Sequence, residues 1–147
     1  MIYCTLEDIR GHIPESRLVE ITDDINPNPT GSVDTSVVDK AINQSSVLID
    51  AYIGKRFKLP LSSIPSVLKS ICIDLTIYNL YERVTEMNIT EGMKLRYTNS
   101  IALLKRIAEG DAVIGITEGE PNEEETSFKI EAMAGCPMFT LDSRRSL

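Results

Sequence analysis

The sequence predicts an all-α fold: a helical bundle of three long and two short helices with an extended, partly β C-terminal arm. Three observations predict it. Apolar residues recur at helical spacing, capping residues bound the apolar segments, and the connections are of modest length. The chain has 147 residues, 42% of them apolar, which fits one globular domain of ordinary size. We expect residues 1–115 to form the bundle and residues 116–147 to form an acidic loop and the arm.

Two short helices open the chain. Thr5 is the N-cap of the first, Asp8 stands at its capping-box position, and Gly11 limits its length. Pro14 opens the second helix. Proline has no backbone N–H group, but in the first turn of a helix that group would have no helical partner, so its absence costs nothing. The residues expected to face the core are Leu6, Ile9, Ile13, Leu18, Val19 and Ile21.

Three long helices follow. Asp34 caps the first, which ends at Gly54. The second begins at residues 62–65, and its apolar residues point nearly all round, so we expect it at the centre of the core. Thr90 caps the third, which ends at Gly110.

One acidic residue, Asp74, interrupts the apolar second long helix between Lys69 and Glu82. A buried carboxylate must be paired or hydrogen-bonded. Arg56 is a candidate partner, although the sequence does not assign it.

Two segments lie outside the helices. Residues 55–61 are too short and too limited by proline for a helix, so they form an extended connector. After the acidic residues 118–125, residues 126–147 alternate loosely and have strand character. An apolar arm outside a core needs a docking surface, either on its own bundle or on a neighbouring subunit, and the residues alone leave both open.

The net charge of −7 argues against general DNA binding, which depends on Lys and Arg neutralising phosphates. The charge is uneven, at −6 for residues 1–54, +4 for residues 55–110 and −5 for residues 111–147. Such a distribution permits self-association by charge complementarity, with a solvated surface as the alternative.

Residues that carry chemistry are sparse. The three cysteines Cys4, Cys72 and Cys136 form no CxxC motif and are expected to be reduced thiols, with Cys72 in the core. The single histidine, His12, is expected to lie at the surface or to be bonded locally. Phosphate-binding loops, metal-ligand motifs and nucleophile motifs are absent, so we expect neither an enzyme nor a cofactor. The N-terminus does not have the pattern of a signal peptide, which predicts a cytoplasmic protein without a membrane partner.

Five stretches carry a family pattern. Residues 3–10 read YCTLEDIR, similar to an opening Y-x-T-x-x-D-L, and residues 49–61 read IDAYIGKRFKLPL, similar to I-D-x-Y-L-x-x-R-Y-x-L-P-L. Residues 65–81, 104–110 and 138–143 fit the same pattern in order and spacing. In these stretches the chain resembles the Mu-like phage head–tail joining proteins of tailed phages and prophages.

The resemblance implies a structural virion-assembly protein that joins the phage head to the tail. Such a connector would form a ring of twelve subunits on the portal vertex, in contact with itself, the portal protein and tail-completion proteins. DNA would pass through the ring without specific binding. The protein would be made in the bacterial cytoplasm and then reside at the head–tail junction of the virion. The resemblance also favours an arm that docks on a neighbouring subunit.

The connector and the arm are therefore the predicted subunit contacts. The candidate interface residues are Arg56, Phe57, Leu59, Pro60, Phe128, Ile130, Met138, Phe139 and Leu141. The alternative function is a small helical regulator that binds DNA or a partner protein.

Overall fold

Five α-helices make up the secondary structure of the computed structural model, which describes residues 1–23, 30–84 and 88–115. They are α1 (Leu6–Arg10), α2 (Glu15–Thr22), α3 (Thr35–Ile53), α4 (Ser66–Arg83) and α5 (Glu91–Glu109). The described residues include no strand. The all-α class, with three long and two short helices, is confirmed, whereas the predicted arm lies outside the described residues.

Side-chain caps begin two of the long helices as expected. The Asp34 carboxylate accepts a hydrogen bond from the Ser36 N–H group at 2.9 Å, and Thr90 Oγ1 accepts one from the Met93 N–H group at 3.3 Å. Each bond satisfies a backbone donor that the first turn of a helix leaves without a partner. These two helix starts are therefore determined locally.

The start of α4 differs slightly from the prediction. Pro65 was expected inside the first turn, but its ψ of 143° is extended, and it is the N-cap of a helix that begins at Ser66. Proline fixes φ near −65° but leaves ψ free, so it fits either position. Residues 62–65 thus belong to the connection between α3 and α4.

The long helices run up, down and up. Between α3 and α4, Ser46 approaches Cys72 while the earlier Ser45 meets the later Thr76. Between α4 and α5, Asp74 meets Ser100, and the later Tyr78 meets the earlier Tyr97. Both pairs are therefore antiparallel, and the short helices α1 and α2 pack against α3 and α4.

The core is centred on α4, as its apolar surface predicts. Its buried residues point in several directions because α3, α5 and the short helices all pack against it. Burial of a Leu or Ile side chain stabilises the fold by about 1.5–3 kcal/mol. The buried residues of α4 are Leu68, Ile71, Cys72, Ile73, Leu75, Thr76, Ile77 and Leu80.

Polar side chains between α3 and α4 satisfy one another. Ser45 Oγ accepts hydrogen bonds from the Thr76 hydroxyl at 3.1 Å and from the Asn79 amide at 3.2 Å, and donates to the Ala41 carbonyl at 3.0 Å. Among the described residues, no buried side-chain nitrogen or oxygen lacks a hydrogen-bond partner.

In the same described residues, no helix is both long enough and apolar enough to cross a membrane.

Candidate interaction surface

The predicted contact residues of the 55–61 connector do not form one exposed patch. Phe57 is only 4% exposed and belongs to the hydrophobic core of the bundle. Arg56 and Leu59 are half-buried, and Pro60 is exposed. Phe57 therefore offers no surface to a neighbour in this conformation, whereas contacts of the other three with a neighbouring subunit stay predictions.

Arg56 connects the end of α3 to the end of α5. Its Nη1 atom donates to the carbonyl oxygens of Ile107 at 3.3 Å and Ala112 at 3.5 Å, and its guanidinium carbon lies 5.5 Å from the centre of the Phe57 ring. The last carbonyls of a helix have no partner within the helix and carry its negative dipole end. The half-buried guanidinium is thus a second donor to the Ile107 carbonyl oxygen, which also accepts from the Gly110 N–H group at 3.2 Å, and its charge stabilises the C-terminal end of α5.

Gly110 completes this end of α5. Its φ of 91° is in the left-handed region, and a Cβ atom there would lie 3.5 Å from Arg56 Nη1. Glycine adopts this conformation without the strain that a side chain adds. Gly110 and Arg56 together set the direction in which the chain leaves the bundle, past Val113, which is 84% exposed.

Exposed basic residues lie at the same end. They flank Arg56 in the connector and follow the last turns of α5, where Glu109 and Asp111 are the exposed acids. The exposed bases are Lys55, Lys58, Lys105 and Arg106. We call this set the basic end of the bundle. It contains much of the positive charge of residues 55–110.

Asp74 has a partner other than the candidate Arg56. It is half-buried in the middle of α4 and accepts a hydrogen bond from the Ser100 hydroxyl at 3.4 Å. Arg56 contacts α5 at Ile107 instead, two turns or roughly 10 Å further along the helix. Of the partners that the sequence left open for Asp74, the structure thus shows Ser100 and not the candidate Arg56, because the antiparallel packing of α4 and α5 places Ser100, and not the end of α5, beside Asp74.

A small groove lies beside Asp74, where three elements meet. Its volume of about 110 Å³ admits one or two side chains, well below the 300 Å³ or more of a typical small-molecule pocket. Stacking of Tyr78 on Tyr97, with ring centroids 4.2 Å apart, holds one wall. The groove was not predicted from the sequence. The one sequence feature that points to it is Asp74, the single acidic residue within the apolar part of α4. Its lining residues are His12, Ile13, Pro14, Asp74, Ile77, Tyr78, Tyr81, Met93 and Arg96.

His12 stands at the rim of the groove and is bonded locally, as expected. Its side chain is exposed, and its Nδ1 atom lies 2.9 Å from the Asp8 carbonyl oxygen. Within residues 1–23, 30–84 and 88–115, no cluster of three His, Cys, Asp or Glu side chains is placed to hold a metal ion.

The other predicted interface residues belong to the C-terminal segment. They are Phe128, Ile130, Met138, Phe139 and Leu141, and all of them lie outside the described residues. Their contacts with a neighbouring subunit stay predictions, as does the division of the chain at residues 115 and 116.

Known proteins similar to this chain come from phage Mu and a related prophage. The model of the family described as "Bacteriophage Mu, Gp36" matches residues 3–132. Gene product J of Escherichia phage Mu is 26% identical over 141 residues, which cover 95% of each chain. The Mu-like prophage FluMu protein gp36 of Haemophilus influenzae is 28% identical over 104 residues, which cover 71% of each chain.

Proposed function

The chain belongs to the Bacteriophage Mu Gp36 family, and on this premise we propose that it is a structural virion-assembly protein that joins the phage head to the tail. In this role it is a connector that forms a ring on the portal vertex. Its partners are other copies of itself, the portal protein and tail-completion proteins. Its work is assembly without catalysis, and its final location is the head–tail junction.

The extent of the family match is the observation that carries this proposal. The match begins before α1, includes all five helices and continues to residue 132. The family pattern thus covers the bundle together with the first part of the C-terminal segment. A role in which the helical bundle and the C-terminal segment act together accounts for a family match that continues to residue 132.

The geometry of the basic end supports a neighbour-contacting segment. Arg56 and Gly110 orient the chain as it leaves α5, and 32 residues, 116–147, follow. An extended chain spans roughly 3.3 Å per residue, so a segment of this length is able to reach an adjacent subunit of a ring. We propose that residues 126–147 make such a contact.

Loss of the chain from the encoding phage or prophage tests the function directly. With a stop codon early in its gene, we expect electron microscopy to find DNA-filled heads and separate tails. Addition of the purified protein to that lysate should restore joined particles. Joined, infectious particles made without the protein would contradict the proposal. Sequence-specific DNA binding with a steep salt dependence would point instead to the regulator.

Deletion of residues 127–147 tests the segment. The truncated bundle should stay folded, as judged by helical circular dichroism, but should lose the oligomers that the full chain forms with portal protein in native mass spectrometry. If it forms the same oligomers and still joins heads to tails, the segment has no such role.

Charge reversal tests the basic end. Lys55 and Lys58 are exposed near the Arg56 contact, so the double variant Lys55→Glu, Lys58→Glu should weaken assembly without unfolding the subunit. The matched control is Lys40→Glu, an exposed lysine on α3 away from this end. Equal assembly of the double variant, the control and the parent would exclude this end as a contact surface.

A further inference from the structure

Two cysteines from distant parts of the chain meet in the core. Cys4 precedes Thr5, the N-cap residue of α1, and Cys72 lies in the middle of α4. Their Sγ atoms are 3.2 Å apart, although 68 residues separate them along the chain. Both side chains are buried, at 3% and 0% exposure. Packing of the N-terminal segment on α4 therefore holds two free thiols in contact.

The surroundings make the two sulfur atoms unequal. The Cys4 S–H group donates to Cys72 Sγ, and Ser46 Oγ lies 3.8 Å from the same sulfur. The hydrogen bond from Cys4 lowers the pKa of Cys72, because it stabilises the thiolate. The same bond, together with burial, raises the pKa of Cys4. Cys72 is thus the more nucleophilic sulfur, and Cys4 lies beside it as a resolving thiol.

We propose that Cys4 and Cys72 form a reversible intramolecular disulfide bond when the chain meets a hydroperoxide oxidant. The two sulfur atoms need to approach by only about 1.1 Å to reach the disulfide bond length of about 2.05 Å. The bond would fasten the segment before α1 to the central helix of the core. This inference does not depend on the head–tail role.

The chemistry proceeds in two balanced steps. The Cys72 thiolate attacks one oxygen of hydrogen peroxide, so that an S–O bond forms and the O–O bond breaks. Cys72 becomes a sulfenic acid, and the hydroxide that leaves takes up the proton lost by the Cys72 thiol and becomes water. The Cys4 sulfur then attacks Cys72 Sγ, so that the S–S bond forms, the S–O bond breaks and a second water leaves with the Cys4 proton. Two thiols lose two electrons, and the peroxide is reduced to two waters.

Access to the sulfurs requires local opening. Short terminal elements belong to the low-stability end of a fold, and α1 has only five residues. We therefore expect the pair to react more slowly than an exposed thiol. Once formed, the bond closes a long loop and restricts the unfolded chain, which stabilises the folded state.

The test uses the full chain with the substitution Cys136→Ser, which leaves the pair as the two remaining cysteines. After hydrogen peroxide treatment and tryptic digestion without reductant, mass spectrometry should find residues 1–10 joined to residues 70–83. Alkylation under denaturing conditions should detect no free thiol, against two before treatment. The thermal midpoint should rise by several degrees and return after reduction.

The matched control is Cys4→Ser in the same background, because serine retains a hydrogen-bond donor but forms no cross-link. This variant should show no rise in thermal midpoint after the same treatment, which separates the cross-link from methionine oxidation. Sulfinic acid on both cysteines, disulfide-linked dimers, or two unreacted thiols would overturn the proposal. If Cys4→Ser fails to fold, peptide mapping of the oxidised chain with all three of its cysteines tests the proposal instead. A disulfide bond from Cys136 to either of the other cysteines would overturn the proposal.

Discussion

The guanidinium of Arg56 lies 3.3 Å from the carbonyl oxygen of Ile107, so a residue from the turn after α3 stabilises the C-terminal end of α5. The two residues are 51 positions apart in the sequence. This contact holds the first and the last long helix together at the end from which the C-terminal segment leaves.

Replacement of Arg56 should therefore destabilise the bundle. Hydrogen bonds from a charged group contribute about 1.5–3 kcal/mol, and we expect Arg56→Ala to lower the free energy of unfolding by that order. Urea denaturation followed by circular dichroism measures it. Arg56→Lys should recover only part of the loss, because a lysine ammonium is more strongly hydrated and lacks the planar guanidinium that lies against the Phe57 ring. The neighbouring exposed Lys55→Ala is the control, and an equal loss there would refute the specific role of Arg56.

Gly110→Ala should also destabilise the protein. The φ of 91° is unfavourable for alanine, whereas the added Cβ would make only an ordinary van der Waals contact with the Arg56 guanidinium at 3.5 Å. We expect a cost of about 1 kcal/mol or more in urea unfolding. Gly92→Ala is the matched control, because Gly92 lies in the first turn of α5 and has no positive φ. It should be neutral or slightly stabilising. A neutral Gly110→Ala would mean that the end of α5 takes another conformation.

The Asp8–Lys69 ion pair predicts a contribution that is sensitive to acid. Lys69 Nζ lies 2.8 Å from Asp8 Oδ1, and Lys69 together with the Thr5 N–H group lowers the pKa of Asp8 below its usual 3.8. A carboxyl group with a lowered folded-state pKa stabilises the fold above its unfolded pKa, and this contribution is lost as the pH falls through the folded value. The free energy of unfolding should therefore drop below about pH 4.

Asp8→Asn tests this effect by urea unfolding at pH 6 and pH 3. The variant should be less stable than the parent at pH 6, and the difference should shrink at pH 3, where the parent has lost its charged carboxylate. Asp39→Asn replaces an exposed carboxylate on α3 and serves as the control. A difference that is the same at both pH values would show that the charge of Asp8 does not contribute.

Tyr3 predicts the opposite, alkaline dependence. Burial, followed by its 2.5 Å hydrogen bond to Asp50 Oδ1, raises the pKa of the Tyr3 hydroxyl. A group with a raised folded-state pKa stabilises the fold below its unfolded pKa, near 10, and this contribution is lost as the pH rises toward the folded value. In an ultraviolet absorbance titration of the five tyrosines, Tyr3 should resist ionisation until the protein unfolds, as a late step additional to any delay at Tyr97, whose pKa burial also raises.

Tyr3→Phe should remove that late titration. It should also cost about 1.5–3 kcal/mol at neutral pH, because the hydrogen bond to a charged carboxylate is lost. Tyr81→Phe, at a half-buried residue of α4, is the control and should keep the late step. Should all tyrosines ionise together near pH 10 in the folded parent, the Tyr3–Asp50 contact would be wrong.

The helices could be predicted from the sequence because their limits depend on nearby residues. Asp34 and Thr90 cap the helices that they precede, and Gly110 ends α5, since each acts on backbone groups within a few positions of itself. The apolar surface of α4 indicated its central position for the same reason, because helical periodicity depends only on local spacing.

The contacts of the candidate surface could not be predicted in this way. Arg56 donates a hydrogen bond to the Ile107 carbonyl oxygen at the end of α5, not to Asp74. Asp74 accepts a hydrogen bond from Ser100 instead. Phe57 turns into the core of the bundle. The sequence shows that each of these residues needs a partner, but several partners satisfy that need equally well.

The amino-acid sequence by itself thus determined the number of helices, where they end and which surfaces they bury. Only the tertiary structure decided which side chains meet across them, including the contact between Cys4 and Cys72 and the groove beside Asp74. The physical reason is that hydrogen bonding within a helix is local, whereas side-chain pairing depends on the angle and register at which whole helices pack. A shift of one helical turn along α5 would move a partner by about 5.4 Å, beyond the reach of any hydrogen bond described here.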